Sequence, residues 1–468
     1  GECYSVNTLL EQANCPPNGH YNPANGNLWY RVTDVSAAGG LFDLALDRSY
    51  NLAAAGEDSP FGYGWATAFA LDYRAPYAPH SSTPISLTDT YRAALDLTYA
   101  PRGIVTVHTP SGSRHVFVSD TPDALTFRAP TVRGWTLTRE SIRSMWTLTL
   151  PDGFTYTYDR AGRLRGYGYP DTRQYVSITH ERLSAVDSRA RAVITDNAAL
   201  RTLTLDYDAQ GHITRAELRD TTRSAGDQAC TPDVGCLGVR YHYTDGLLTQ
   251  VDYADGTQAT YRYDDARRLI EHNDPRAPIA PRMTYTYAEH GLAAVQVVTG
   301  ETSITWRVIA PPQVTTNARA VTVTDHYGRA ITYTYALESD TPPNLSGAGY
   351  TLISQSSPLA ELSTADALPQ TYQWENGLLT QINARVGADG GRNSTVIRYT
   401  ESGRLRAIGG AYSPFDLTYD TRGRLTDARY ADGSSVRWGY ADDSLYPARL
   451  IERGGEAYLV RADARIRS

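Results

Sequence analysis

The chain has 468 residues, with 44 basic against 51 acidic side chains and a net charge of −7. No basic excess is present to neutralise phosphates, which sets aside a dedicated nucleic-acid binder. At 41% hydrophobic and 20% charged residues the chain is too apolar for disorder, and no apolar run approaches the roughly 20 residues of a spanning helix. Every basic residue is arginine, and tyrosine dominates the aromatics, with 34 Tyr against 7 Phe and 7 Trp.

The chain opens at Gly1 with no apolar leader, consistent with a removed signal peptide or a trimmed start. Its four cysteines form two close pairs, Cys3 with Cys15 and Cys230 with Cys236. Even number, close spacing and the absence of CxxC point to two short-loop disulfides rather than metal or redox chemistry. Four reduced thiols are the alternative. Oxidised, the pairs place the protein outside the cytoplasm: secreted, periplasmic or at the cell surface.

Helical periodicity is nearly absent, and strand alternation runs through the chain. Predicted strands include Trp146-Thr-Leu-Thr-Leu150, Phe154-Thr-Tyr-Thr-Tyr158, Leu203-Thr-Leu-Asp-Tyr207, Met283-Thr-Tyr-Thr-Tyr287, Ala320-Val-Thr-Val-Thr324 and Ile331-Thr-Tyr-Thr-Tyr335. Threonine and tyrosine suit a pleated surface with one wet face. Most runs end at Asp, Gly, Asn or Pro, as turns require.

The hairpins repeat. Tyr158-Asp159-Arg-Ala-Gly162-Arg-Leu164 returns as Tyr207-Asp208-Ala-Gln-Gly211-His-Ile213, as Tyr399-Thr-Glu-Ser-Gly403-Arg-Leu405 and as Tyr419-Asp420-Thr-Arg-Gly423-Arg-Leu425. Looser copies start at Tyr243, Tyr263 (followed by Asp264), Tyr287 and Trp374. A second motif is interleaved, at Tyr253-Ala-Asp-Gly256, Tyr430-Ala-Asp-Gly433 and Pro151-Asp-Gly153. In the first motif the Asp caps the turn and the Gly supplies a positive φ. The Leu restarts the buried face of the next strand. The Tyr closes the preceding strand and is expected to stack on its counterpart one repeat along. A fixed period near 20 residues implies an array in which each unit buries its face on its neighbours.

These repeats resemble the YD repeats of the Rhs family (rearrangement hotspot proteins, related insecticidal-toxin shells and animal teneurins), over roughly Trp146 to Leu450. Asn25-Gly-Asn27, Thr33-Asp34, Arg48-Ser-Tyr50 and Phe61-Gly-Tyr-Gly-Trp65 look like the opening block of bacterial members. The resemblance implies a β-ribbon that spirals into a hollow shell, often around a toxin. It does not extend to autoproteolysis, because Asn273-Asp-Pro-Arg-Ala277 lacks the Gly-Leu of the family's P-x-x-x-x-D-P-x-G-L motif. No effector region is recognised.

The expected fold is all-β: a YD-repeat hairpin ribbon curling into an open spiral or barrel-like shell. Residues 1–140 form a β-rich opening block and residues 141–468 the ribbon. About 40 strands at roughly 4.8 Å spacing give a contour near ~190 Å, about one turn of a ring. Its open edges invite further chain or another copy.

Other chemistry is poorly supported. The ten histidines are dispersed, His108 and His115 being the one close pair, and neither HExxH nor a Cys/His cluster occurs. Ser111-Gly-Ser113 reads as a turn, and no GxSxG elbow is present. Asp152, Asp255 and Asp432 read as turn residues rather than calcium ligands. The tyrosines, with Trp374 and Trp438, read as ladder packing, with a glycan-binding surface as the other possibility. Arg160, Arg163, Arg165, Arg422 and Arg424 are candidates for ion pairs between repeats.

The expectation is therefore an exported, non-enzymatic structural protein without cofactor or metal, a shell or shell fragment around a polypeptide cargo. The alternative is a self-assembling or adhesive protein whose partners are its own copies or glycans.

Overall fold

In the computed structural model the described residues lie between 20 and 459. Those outside it are 1–19, 23–25, 38–43, 68–93, 97–102, 109–113, 170–174, 184–188, 224–228, 277–281, 338–349, 357–369, 386–391, 441–446, 460–468 and shorter turn segments such as 161, 402–403 and 422–423. Among the described residues the backbone is almost wholly extended, and its helical content is two 3-10 turns, Leu52–Ala54 and Pro232–Val234. None of its helices is long and apolar enough to cross a membrane.

Two sheets form. The first is small and antiparallel: β1 (His20–Asn22), β2 (Asn27–Ala37), β3 (Leu44–Asn51) and β4 (Trp65–Ala66), in that order. The second is a ribbon from Ala94–Asp96 to Ala457–Leu459, its strands adjacent in chain order and antiparallel throughout. Ribbon strands are named below by their residues. The sheet order brings the last strand round beside the first, but among the described residues no register joins the two, and the ribbon is open there.

Within the expected opening block of residues 1–140, the sheets divide before Ala94. Strands Ala94–Asp96, Ile104–His108, Arg114–Val118, Thr126–Arg128 and Thr136–Arg139 already belong to the ribbon. Alternation alone cannot reveal this, because a strand looks the same whichever sheet it joins.

Alternation places one face inward. In Ala190–Asp196 the inward residues are Ala190, Ala192 and Ile194, registered opposite Tyr207, Leu205 and Leu203 of Arg201–Tyr207. Small side chains thus face large ones across the pair. One apolar core joins the inward faces of both sheets, from Tyr21, Tyr30, Leu46 and Trp65 of the first to Leu205, Val251 and Leu292 of the second. The small sheet therefore packs against the inner face of the ribbon.

Candidate functional site: a buried dock between the opening sheet and the repeats

The turns come first, because they build the surface on which the opening sheet sits. Each repeat tyrosine lies at a β-bulge and is registered against the Leu or Ile that starts the next strand: Tyr158 with Leu164, Tyr207 with Ile213, Tyr263 with Leu269, Tyr399 with Leu405 and Tyr419 with Leu425. The following Asp closes the turn. Asp159, Asp264 and Asp420 each accept the backbone N–H four residues on, at 2.8–3.0 Å, and pair with the arginine there, Arg163, Arg268 or Arg424. Gly162 and Gly211 hold φ near +83° and +90°, where an L side chain is strained. Gly403 and Gly423 lie outside the described residues.

Two expectations about these turns are corrected. The recurring contact of a repeat tyrosine is a hydrogen bond rather than a stack on the next tyrosine. Its hydroxyl donates to the backbone carbonyl of the preceding repeat's Leu or Ile: Tyr243 to Ile213, Tyr263 to Leu248, Tyr399 to Leu379, Tyr419 to Leu405 and Tyr440 to Leu425, at 2.7–2.9 Å. Trp374 makes the same bond to Leu352 through its indole N–H. The bulge explains this, since the extra residue turns the ring along the ribbon toward a carbonyl. Likewise, Arg163 and Arg424 pair within their own turns, not between repeats. The guanidinium's face is left to cover the next tyrosine, as Arg268 covers Tyr287 at 4.7 Å and Arg424 covers Tyr440 at 4.5 Å.

The second motif is also turn chemistry. Asp255 accepts from the N–H and hydroxyl of Thr257, and Asp432 from those of Ser434. Asp152 lies outside the described residues. A disulfide joins Cys230 and Cys236, while Cys3 and Cys15 lie outside the described residues. Glu217 is close to both bonded sulfurs, but the disulfide leaves neither as a thiolate ligand.

The opening sheet meets this surface through a buried ion pair. Asp34 sits at a bulge in β2, where the register with β3 skips between Thr33 and Val35. The bulge turns Asp34 inward beside its neighbour Val35. Arg48 of β3 faces the same way, and both side chains are fully buried. Arg48 Nε donates to Asp34 Oδ2 at 2.8 Å, and its Nη2 donates to the hydroxyls of Tyr261 at 2.6 Å and Tyr253 at 3.2 Å. The hydroxyls of Tyr241 and Tyr253 donate to Asp34 at 2.9 and 3.0 Å. The guanidinium lies 4.7 Å from the ring of Trp65 and 4.9 Å from that of Tyr261. Burial works against the charge of Arg48, but Asp34, Tyr261 and Tyr253 outweigh it and raise its pKa further. Burial pushes the Tyr261 hydroxyl up to about 12, so the surrounding phenols stay neutral donors.

Around this pair β3, β4 and the loop between them grip successive repeats. Leu269 N–H donates to the Tyr50 hydroxyl, and Trp65 Nε1 donates to the Tyr263 hydroxyl, both within 2.9 Å. Ile213 N–H donates to the Pro60 carbonyl at 2.7 Å, and Tyr63 N–H to the Gly246 carbonyl at 3.1 Å. At Gly62 the backbones approach so closely that a Cβ would stand 2.3 Å from the Gly246 oxygen, and φ there is +83°. Tyr30 stacks on His272 at 4.3 Å, and burial pushes that imidazole down to about 3, so it is neutral.

This arrangement fixes one sheet against another. It pairs the buried charge of Arg48 with that of Asp34 and bonds the Arg48 Nε and Nη2 and both Asp34 oxygens. Thr33-Asp34, Arg48-Ser-Tyr50 and Phe61-Gly-Tyr-Gly-Trp65 were visible in the sequence as an opening block, and all three converge here. His212, Arg267 and Asp58 were not singled out. The signal for the first two was present, since each breaks the repeat pattern.

Comparison with known proteins divides the chain along the same contact. Residues 20–77 match a domain of unknown function, DUF6531, and residues 241–278 match the RHS Repeat. No curated protein matches. Among solved structures, a crystal structure of TcdB2-TccC3-TEV is 14% identical over 75% of this chain and 21% of its own, with a TM-score of 0.30. The Photorhabdus luminescens Tc holotoxin pore is 10% identical over 92% and 25%, with a TM-score of 0.24. A porin-like protein from Bacteroides uniformis ATCC 8492 is 14% identical over 60% and 93%, with a TM-score of 0.20. The chain thus spans a quarter or less of the two Tc structures it matches. The chain carries an RHS repeat at 241–278, and the same tyrosine and aspartate chemistry recurs from Tyr158 to Tyr440.

Proposed function

We propose that this chain forms part of the wall of an exported shell that holds or delivers another polypeptide, and that it does so without catalysis. The RHS repeat at 241–278 supports a structural role. The observation that carries the proposal is the ribbon itself. It runs in chain order from Ala94 to Leu459, and its inner face receives the opening sheet around a fully buried ion pair. Such a wall spends its polar groups on its own cohesion.

A second reading is self-assembly. Ile304, Val308, Val314 and Tyr327 are all exposed within one stretch of the ribbon, Val314 and Tyr327 at 72%. Exposed apolar side chains of this size are surface available for contact with another protein. Native mass measurement with negative-stain imaging of the secreted species separates the two. A discrete particle containing a second polypeptide is expected. A ladder of multiples or fibres of this chain alone would replace the shell with extracellular assembly.

A further inference from the structure

The repeats are near-copies of one another, so their shared features cannot select which of them receive the opening sheet. Selection must come from where they differ, and two differences lie at the dock. In the turns starting at Asp159, Asp264, Asp325 and Asp420, the Asp pairs with an arginine four residues on. In the turn starting at Asp208 that position is His212. Its Nε2 lies 3.0 Å from Asp58 Oδ1, in the loop between β3 and β4, and its Nδ1 lies 3.6 Å from Asp208 Oδ2. Arg163 and Arg268 turn both Nε and Nη2 onto their own aspartate. An imidazolium carries its two N–H groups on opposite edges, so it can bridge its own turn to the opening sheet.

The second difference is Arg267. It occupies the place of Gly162 and Gly211, and it adopts φ +63° there, a left-handed conformation that costs an L side chain energy. Its guanidinium lies 3.7 Å from the centre of the Tyr63 ring, in the same loop as Asp58. A strained backbone is retained where surrounding contacts over-determine it.

We propose that His212 and Arg267 are the address at which the opening sheet docks on the repeats, and that His212 makes this docking sensitive to pH. The groups facing the His212 ring are Asp208 from its own turn, Asp58 from the docked loop and Tyr243, stacked on it at 4.8 Å from the next repeat. Burial disfavours the imidazolium, but the two carboxylates outweigh it and raise the pKa from 6.5 to about 9. The folded-state value is raised. The latch therefore contributes fully below pH 6.5, weakens as pH rises and is lost above about 9.

Pulsed amide exchange on the whole chain, corrected for the base catalysis of exchange itself, reads the dock through residues 52–64. Strands Tyr175–Arg182 and Ala190–Asp196 report on the integrity of the ribbon. In the unmodified protein, protection of 52–64 is expected to fall about tenfold or more between pH 6.5 and 9 while the ribbon strands hold. His212→Arg keeps a cation at all these pH values and is expected to flatten that profile. Arg267→Gly relieves the strain yet is expected to lower protection of 52–64 several-fold at every pH. A flat profile in the unmodified protein, which needs no variant to fold, overturns the pH role. An unchanged profile in His212→Arg overturns the assignment of the pH response to His212, and unchanged protection in Arg267→Gly overturns the address.

Discussion

Replacing Arg48 by methionine tests whether the buried ion pair holds the opening sheet to the ribbon. Methionine keeps much of the stem's volume and removes the charge. Asp34 would then keep two hydroxyl donors, Tyr241 at 2.9 Å and Tyr253 at 3.0 Å, and lose the cation hydrogen-bonded to it. Arg276 Nη2, 3.9 Å from Asp34 Oδ1, offers partial compensation. Breaking a buried pair on one side costs about 3–5 kcal/mol. The lost contacts of the guanidinium with Trp65 and Tyr261 add about 1 kcal/mol. Arg276 offsets part of this, so the expected loss is about 4 kcal/mol. Changing Asp34 to Asn in the same chain removes the stranded charge and keeps an acceptor for one of the two hydroxyls, while its amide N–H can donate to the other. The double variant Asp34→Asn with Arg48→Met is therefore expected to recover about 2 kcal/mol relative to Arg48→Met alone. Urea unfolding, analysed for midpoint and slope together, measures both values. A loss below about 1 kcal/mol in Arg48→Met, or a double variant no more stable than the single one, would refute the reasoning.

Other variants probe the repeats and the pH response. Tyr419→Phe removes one hydroxyl bond to Leu405 and should cost about 1 kcal/mol, whereas Tyr263→Phe strips partners from both the Leu248 carbonyl and Trp65 Nε1 and should cost about 2–3 kcal/mol; urea midpoints of the pair check the ordering. Gly211→Ala meets no atom within 4 Å and carries only the left-handed penalty of about 1–2 kcal/mol. Gly62→Ala adds a collision with the Gly246 carbonyl and should lower the melting temperature much further. Burial holds His115 and His180 at about 4 and His272 at about 3, so the unfolded chain binds more protons between those values and 6.5. Stability should fall as pH drops through that window. His272→Phe should make the fall shallower in unfolding experiments at stepped pH, and an unchanged slope would contradict the assignment.

Much of the ribbon was legible because its rules are local. The alternation in Met283–Tyr287 and Ile331–Tyr335 marks strands that the structure places at Arg282–Ala288 and Ala330–Leu337. Asp159 and Asp420 act on groups four residues away, so spacing alone exposes their turn role. The tyrosine bond was misread as stacking because the carbonyl it reaches belongs to another repeat, 14 residues back for Tyr419 and 20 for Tyr399. Nothing in the composition of residues 94–139 says that they pair with the ribbon rather than with β4.

The sequence by itself determined an all-β chain, its repeat period and the chemistry of each turn, since these depend on contacts within one hairpin. Only the tertiary structure decided where the opening sheet docks and which of its residues matter there. Arg48 and Tyr261 stand 213 residues apart along the chain and 2.6 Å apart in space. A charged residue in a strand reads as solvent-facing until a bulge and a second sheet enclose it. That enclosure is set by packing between distant segments, which no local pattern records.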